Sequence, residues 1–153
     1  MDTSLSPLPI EPRLLAIPPV HALQLRLADY DRNSLSLVAP LAPNVNDKGS
    51  AFGGSLVSLM TLAAWALLSM KLEDAGHGAE VYVQDSSVRY LAPLYHDLLA
   101  VARLGPGQEW GQVIGAFAQR GKARALLRAE IADPAGTLCC TLEGRFVALA
   151  PKT

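Results

Sequence analysis

This sequence has few charged residues and only two cysteines, and its opening residues do not resemble an export signal. Charged residues make up 18% of the 153 residues and the net charge is −1, which argues against nucleic acid or an acidic membrane surface as the main partner. The only two cysteines, Cys139 and Cys140, are adjacent in a strand-like run, where they would point to opposite faces. A disulfide between them is not expected, and the opening residues contain no apolar stretch of signal-peptide length. We therefore expect a cytoplasmic protein.

Patterns that bind metals, nucleotides or cofactors are also missing. The sequence contains no Ser-His-Asp nucleophile elbow, no Walker loop and no dinucleotide fingerprint. Its three histidines are isolated and lack metal-ligand spacing: His21, His77 and His96. We expect neither a metal nor a cofactor. A small basic cluster at Arg120, Lys122 and Arg124 is open to two interpretations, a site for nucleotide phosphates or a solvated surface.

The longest uncharged stretch is the feature around which the chain is organised. No charged residue occurs between Lys48 and Lys71, and residues 56–70 are almost entirely apolar. A helix that is apolar nearly all round lies in a protein interior or in a membrane. Because the continuous apolar part is shorter than the roughly 20 residues of a membrane span, a buried central helix is the first prediction and a membrane span the second.

Hydroxyl groups collect on one side of this predicted helix. At 3.6 residues per turn they occupy about a third of its circumference. That side would face a ligand cavity, a second subunit, or both; alternatively, the hydroxyls bond back to carbonyls one turn earlier. The hydroxyls belong to Ser55, Ser58, Thr61 and Ser69, and Trp65 lies on the same side.

Alternating apolar and polar residues predict strands on both sides of the helix. The first strand is predicted from His21, with Leu23, Leu25 and Leu27 on one face, after Pro18 and Pro19 have ended any helical turn in residues 11–17. The predicted order is strand, strand, long helix, strand, strand, short helix, strand, strand. Residues 1–20 are interpreted as an N-terminal lead-in and residues 21–150 as a single domain. The fold class is α+β, with a curved antiparallel sheet around the long helix. One sheet cannot cover an apolar helix on every side, so we expect a homodimer or a dimer of dimers.

The helix entrance is the first candidate site. Gly53 and Gly54 would let a ligand approach free backbone N–H groups at the positive end of the helix dipole, where an oxyanion can be held; alternatively, they only allow close packing. Asn44, Asn46 and Asp47 precede the glycines. Asp47 is a candidate general base and the amides are candidates for positioning substrate, with turn and cap chemistry as the alternative.

A second candidate site lies within a predicted strand, where Asp85 is surrounded by Gln84, Ser86 and Ser87. A carboxylate there is solvated, paired or catalytic, since burying it alone is costly. The structural alternative to a catalytic role is an ion pair with Arg89 or Arg103.

Two stretches, NDKGSAFGGSLVSLMTLAAWALL and VRYLAPL, resemble the hotdog-fold thioesterases. The chain is most similar to the thioesterase family typified by the C-terminal domain of YiiD, from about residue 21 to residue 149. The resemblance implies a hotdog fold, hydrolysis of an acyl thioester of coenzyme A or acyl carrier protein, and active sites between subunits near the start of the long helix.

The resemblance also assigns roles. Where the wider superfamily often has His-Gly-Gly followed by a helix carboxylate, this chain has Phe52-Gly53-Gly54 and Thr61. Gly54 maps onto the oxyanion donor, and Thr61 stands where the carboxylate would be. The general base must then come from elsewhere, and Asp47 and Asp85 are the candidates. The predicted substrate-binding residues are Asn44, Asn46, Phe52, Gly53, Ser86 and Ser87.

These observations leave three functions open. The first is an acyl-thioester hydrolase. The second is a non-catalytic acyl-CoA-binding module on the same fold, which the missing helix carboxylate would explain. The third is a structural oligomerising domain without a ligand.

Overall fold

A six-stranded antiparallel sheet forms the body of the computed structural model, which describes residues 9–152. The spatial order of its strands is β1-β2-β4-β5-β6-β3, so β1 and β3 are the two edges. In chain order the strands are β1 Arg26–Tyr30, β2 Ser34–Ala39, β3 Glu80–Tyr90, β4 Leu98–Leu104, β5 Lys122–Ala132 and β6 Leu138–Leu149.

Four α-helices accompany the sheet in the part of the chain that the structure describes. They are α1 Ile10–Leu15, α2 Pro18–His21, α3 Gly53–Asp74 and α4 Trp110–Arg120, with a short 3-10 turn at Ala42–Asn44. The sheet wraps around α3, which contacts five of the six strands. This is the predicted α+β hotdog arrangement.

The central helix α3 is buried as predicted. Its length and composition would also fit a membrane span, but it packs inside the sheet as a core helix. The helix ends before Gly76, whose φ of +87° favours glycine. Eight of its side chains are completely buried: Leu59, Met60, Ala63, Ala64, Ala66, Leu67, Leu68 and Leu72.

The strands β5 and β6 supply the opposite wall of the core. Along β5 buried and outward-facing positions alternate as the sequence predicts. The amphipathic helix α4 buries Val113 and Phe117 and is followed by Gly121 in the left-handed conformation, at φ +64°. The same alternation continues in β6, where Phe146 is fully buried.

The N-terminal segment differs from the sequence-based prediction. A strand was expected from His21, but α2 occupies Pro18–His21 and β1 begins at Arg26. Proline is favourable at the first position of a helix, so Pro18 starts a helix rather than preventing one. Within the described part of the predicted lead-in, Ile10 and Leu14 are buried in the core. Residues 1–8 of that lead-in lie outside the described residues.

Candidate functional site

At the start of α3, backbone N–H groups have no hydrogen-bond partner among the described residues. Phe52, the residue before the helix, donates its N–H to the Asn44 carbonyl at 2.7 Å and accepts from the Leu56 N–H at 3.0 Å. No side chain caps the helix. Within residues 9–152, no atom accepts a hydrogen bond from the N–H groups of Gly53, Gly54 or Ser55. Such a helix terminus carries partial positive charge and free donors.

Two aromatic rings cover the glycines at this terminus. A Cβ atom on Gly54 would clash with the ring of Phe52, and one on Gly53 would lie 3.4 Å from the Tyr90 ring. Both rings are more than half exposed. The Tyr90 hydroxyl donates a long bond of 3.4 Å to the Gly53 carbonyl. The glycines therefore allow these two aromatic side chains to pack closely against the start of the helix.

The loop before the helix is shaped by Asn46. Its side-chain oxygen accepts from the N–H groups of Lys48 and Ser50, at 2.8 and 3.1 Å, and its amide donates to the Ser50 hydroxyl at 2.8 Å. Gly49 has a φ of +84°, a conformation that L side chains rarely adopt. The Asn-Asp-Lys-Gly-Ser stretch is thus a tight loop closed by the amide of its first residue.

A cavity of about 320 Å³ lies between this loop, the start of α3 and the end of β3. Its polar side chains are Asn46, Ser50 and Tyr90, and Gly53 forms part of its wall. None of the described residues that line it is a carboxylate. Ser50 and Tyr90 were missed in the sequence, although Tyr90 lies within the VRYLAPL stretch that carries the family resemblance.

Asp47 and Asn44 flank this cavity without lining it. The Asp47 side chain is 80% exposed and lies 2.9 Å from the Lys48 ammonium. Asn44 is only 2% exposed, and its amide donates to the carbonyls of Leu23 and Pro40 at 2.9 and 2.8 Å. Asn44 therefore holds three chain segments together at the helix entrance.

Asp85 lies away from the helix entrance. It sits next to a register irregularity of the edge strand β3, five residues before Tyr90, which is about 16 Å along a strand. Its partner is Arg145 on β6, with Nε 3.0 Å from Oδ1, rather than Arg89 or Arg103. The hydrogen bonds from Arg145 hold the pKa of Asp85 below its usual value. The neighbouring Ser86 and Ser87 are exposed.

Thr61 lines a different depression. A groove of about 270 Å³ separates the N-terminal segment from one face of α3, and Ser58 and Thr61 contribute its hydroxyls. Two other residues of the predicted hydroxyl stripe, Ser55 and Ser69, are buried. The stripe is therefore divided between the core and this groove.

The basic cluster Arg120, Lys122 and Arg124 lines a depression beside α4. Lys122 pairs with Leu149, which also pairs with Glu80 at the beginning of β3. Within one copy the cluster therefore lies toward the far end of α3 from Gly53. The three side chains make no ion pair with the acidic residues of the described segment.

The cysteines are buried and unpaired, as expected. Burial raises the pKa of the Cys140 thiol to about 11, so this thiol is a weak nucleophile at neutral pH. Among residues 9–152, no group of three or more histidine, cysteine or acidic side chains is arranged to hold a metal ion.

Comparison with known proteins gives a family match over most of the chain. The family model described as "Putative thioesterase (yiiD_Cterm)" matches residues 14–150. A crystal structure of a protein of unknown function from Chlorobaculum tepidum is 27% identical, covers 93% of both chains and has a TM-score of 0.85.

Two further crystal structures have the same fold. One, described as a "putative thioesterase" from Shewanella oneidensis, is 27% identical, covers 93% of this chain and 98% of its own, and has a TM-score of 0.79. The other, from Pseudomonas aeruginosa and described as a "probable thioesterase", is 24% identical, covers 97% and 100% of the two chains, and has a TM-score of 0.77.

Proposed function

Because the chain belongs to the thioesterase family of the YiiD C-terminal domain, we propose that it hydrolyses acyl thioesters of coenzyme A or acyl carrier protein. The observation that carries the proposal is the set of N–H groups of Gly53, Gly54 and Ser55, which have no partner within residues 9–152 and lie beside a cavity. Donors fixed by a buried helix need no reorganisation when negative charge develops on a carbonyl oxygen.

In the proposed reaction, water attacks the thioester carbonyl carbon while the carbonyl oxygen accepts hydrogen bonds from the Gly53 and Gly54 N–H groups. The tetrahedral intermediate then collapses with loss of the thiolate. The proton removed from water is transferred to the thiolate, so that a carboxylic acid and a free thiol are formed.

Asp47 is the general base we favour. Its side chain is exposed, is held only by its neighbour Lys48, and belongs to the loop that carries the cavity residues Asn46 and Ser50. Asp85 is the weaker candidate, since Arg145 keeps its pKa low and a carboxylate with a low pKa is a poor base. Thr61 has no adjacent base and would position a group rather than attack it.

The polar wall of the cavity is proposed to hold the carrier side of the thioester. Asn46, Ser50 and Tyr90 offer amide and hydroxyl groups that match the amides of a pantetheine arm. Gly53 and Phe52 complete the entrance. The exposed Ser86 and Ser87 lie farther along β3, toward Asp85, and are proposed to contact the carrier outside the cavity.

A homodimer is proposed to form through β3. This edge strand has 11 residues and only one neighbour in the sheet, and Tyr82, Val83 and Tyr90 expose large apolar surfaces on it. An edge of this kind is a template for strand pairing. Light scattering should give a multiple of the 16.2 kDa chain mass, and Val83→Lys should lower it.

Release of free thiol from a panel of acyl-CoA and acyl carrier substrates tests the proposal. The buried Cys139 and Cys140 allow a thiol reagent to report substrate thiols with little background. We expect turnover in the wild type and a loss of about 10²-fold or more for Asp47→Asn. Full activity in Asp47→Asn, Asp85→Asn and Thr61→Ala alike would remove the assignment of the base, and no turnover on any substrate would contradict the activity.

A matched pair at Gly54 tests the oxyanion donor. Gly54→Pro removes the N–H at a position where helices tolerate proline, while Gly54→Ala keeps the N–H but displaces the Phe52 ring in the same way. We expect kcat to fall about 10²- to 10³-fold for proline and much less for alanine. Equal losses would indicate that the ring, and not the N–H, matters.

An acyl-CoA-binding module without turnover is the second candidate. It is favoured by one observation, that the residues lining the cavity include no carboxylate. Calorimetric binding of acyl-CoA by a wild-type protein that releases no thiol would support it over the hydrolase. The reduced, buried thiols agree with a cytoplasmic setting for either function.

A further inference from the structure

The groove of about 270 Å³ beside α3 is lined by apolar side chains and two hydroxyls. Among residues 9–152, no charged side chain lines it. One wall comes from the N-terminal segment and the other from α3. The residues are Pro19, Val20 and Leu23 on the first wall and Val57, Ser58, Thr61 and Leu62 on the second.

The groove lies on the same face of α3 as Gly54, and Ser58, one turn after Gly54, is among the residues that line it. At 3.6 residues per turn, Gly54, Ser58 and Thr61 lie within an arc of about 60°. From Gly54 to Thr61 the helix rises about 10 Å. A carbonyl oxygen bound at the Gly54 N–H would therefore place its substituent at the upper end of this groove.

We infer that the groove between α2 and α3 binds the aliphatic acyl chain of the thioester, an inference that rests on the proposed hydrolase function. An extended hydrocarbon advances about 1.3 Å per carbon, given C–C bonds of about 1.5 Å. The distance from Gly54 to Thr61 therefore fits about eight carbons. The substrate class is a medium-chain, uncharged acyl thioester.

The wall of the groove is held in place by the buried Asn44. Its amide donates to the Leu23 carbonyl at 2.9 Å, and its own backbone carbonyl accepts from the Phe52 N–H at 2.7 Å. One residue thus fixes both the groove wall and the residue that precedes the helix N–H groups. Asn44 is a positioning residue, since it is 2% exposed and lines neither the groove nor the cavity.

The dependence of activity on chain length tests the inference. For the wild type we expect kcat/KM to rise about fourfold per methylene from acetyl-CoA and to level off near octanoyl-CoA. Leu23→Trp fills the groove and is expected to lower the ratio of octanoyl to acetyl kcat/KM by about tenfold or more. The matched control is Ile17→Trp, which adds the same bulk to the same segment at a residue that is 40% exposed and outside the groove.

A second variant covers the case in which Leu23→Trp fails to fold, as judged by circular dichroism. Leu23→Ala widens the groove and should raise the ratio of dodecanoyl to octanoyl kcat/KM. An unchanged chain-length profile in a folded, active variant would overturn the groove assignment and leave the hydrolase function standing. A uniform loss for all chain lengths, with a fall in molecular mass, would instead assign the groove to contact with a second copy.

If the wild type releases no thiol from any substrate, the proposed hydrolase function fails and the groove is tested by binding. Calorimetry then compares octanoyl-CoA with free coenzyme A. Tighter binding of octanoyl-CoA that is lost in Leu23→Trp and kept in Ile17→Trp supports the groove. Equal affinities for the two compounds in the wild type overturn it.

Discussion

The two ends of the central helix are built in opposite ways. At the far end Glu73 pairs with Arg13 at 2.6 Å, Asp74 accepts from the Tyr30 hydroxyl at 2.5 Å, and Gly76 terminates the helix in the left-handed conformation. At the entry end no side chain caps the helix and backbone N–H groups lack partners in the described chain.

This difference assigns a stabilising role to the far end of α3 and a functional role to its entry end. A Ser, Thr, Asp or Asn before the first helical residue contributes about 1 kcal/mol through a bond to a free N–H. The chain has Phe52 at that position instead, so its entry end lacks this stabilisation, while at the far end the carbonyls of Leu72 and Glu73 accept hydrogen bonds from the residues that follow the helix. We infer that the donors are kept free for a ligand, which is the usual trade between stability and activity.

The core-facing side of α3 should contribute more to stability than the side beside the groove. Leu67 is fully buried, whereas Leu62 is half-buried beside the groove. We expect Leu67→Ala to lower the free energy of unfolding by about 2–5 kcal/mol and Leu62→Ala by about 1 kcal/mol. Urea denaturation of both variants provides the measurement. Equal losses would mean that the two sides of the helix do not differ in this way.

The entry end should carry most of the activity. Asn46 closes the loop with three hydrogen bonds and lines the cavity. We expect Asn46→Ala to lower kcat/KM about tenfold or more, with a loss of stability of about 1–2 kcal/mol. Arg13→Ala, at the other end of the helix, is the matched control and should retain kcat/KM. A larger loss of kcat/KM in Arg13→Ala than in Asn46→Ala would contradict the assignment of activity to the entry end.

The Arg13–Glu73 pair should make a moderate contribution to stability. Its side chains are about a quarter exposed, so solvent screens the pair only in part. A double-mutant cycle with Arg13→Ala and Glu73→Ala should give a coupling free energy of about 1 kcal/mol. A coupling near zero would indicate that helix α1 is held by the buried Ile10 and Leu14 alone.

The smallest expected effect concerns Asp85, whose pKa is lowered in the folded protein by hydrogen bonds from Arg145. A carboxyl group with a lowered pKa contributes stability above its unfolded pKa of about 3.9, and this contribution disappears as the pH falls through the folded pKa. We expect wild type to lose slightly more stability than Asp85→Asn between pH 5 and 3. An identical acid profile would show that the exposed pair contributes nothing measurable.

The sequence predicts the fold because the fold follows from periodicity. The uncharged run after Lys48 predicts the buried helix, and the clean alternation in residues 122–131 predicts β5. The N-terminal segment was harder, because the alternation of Leu23, Leu25 and Leu27 also occurs across a turn that follows a short helix. Alternation over so few residues does not distinguish the two.

The candidate site was only partly accessible from the sequence. Gly53 and Asn46 were identified because glycines and amides before an apolar run suggest a helix entrance, and both line the cavity. Tyr90 was not identified, because it contacts Gly53 from 37 positions away along the chain and no local sequence pattern predicts such a contact. The pairing of Asp85 with Arg145 depends in the same way on the register of β3 and β6.

The most direct test of the central claim uses Phe52. Phe52→Ser supplies a cap that accepts from the Gly54 or Ser55 N–H, while Phe52→Ala removes the ring without supplying one. If the free N–H groups bind the substrate carbonyl, Phe52→Ser should be about 1 kcal/mol more stable than Phe52→Ala and should have a kcat/KM for acyl-CoA about tenfold lower. A serine variant that is more stable and equally active would contradict the account.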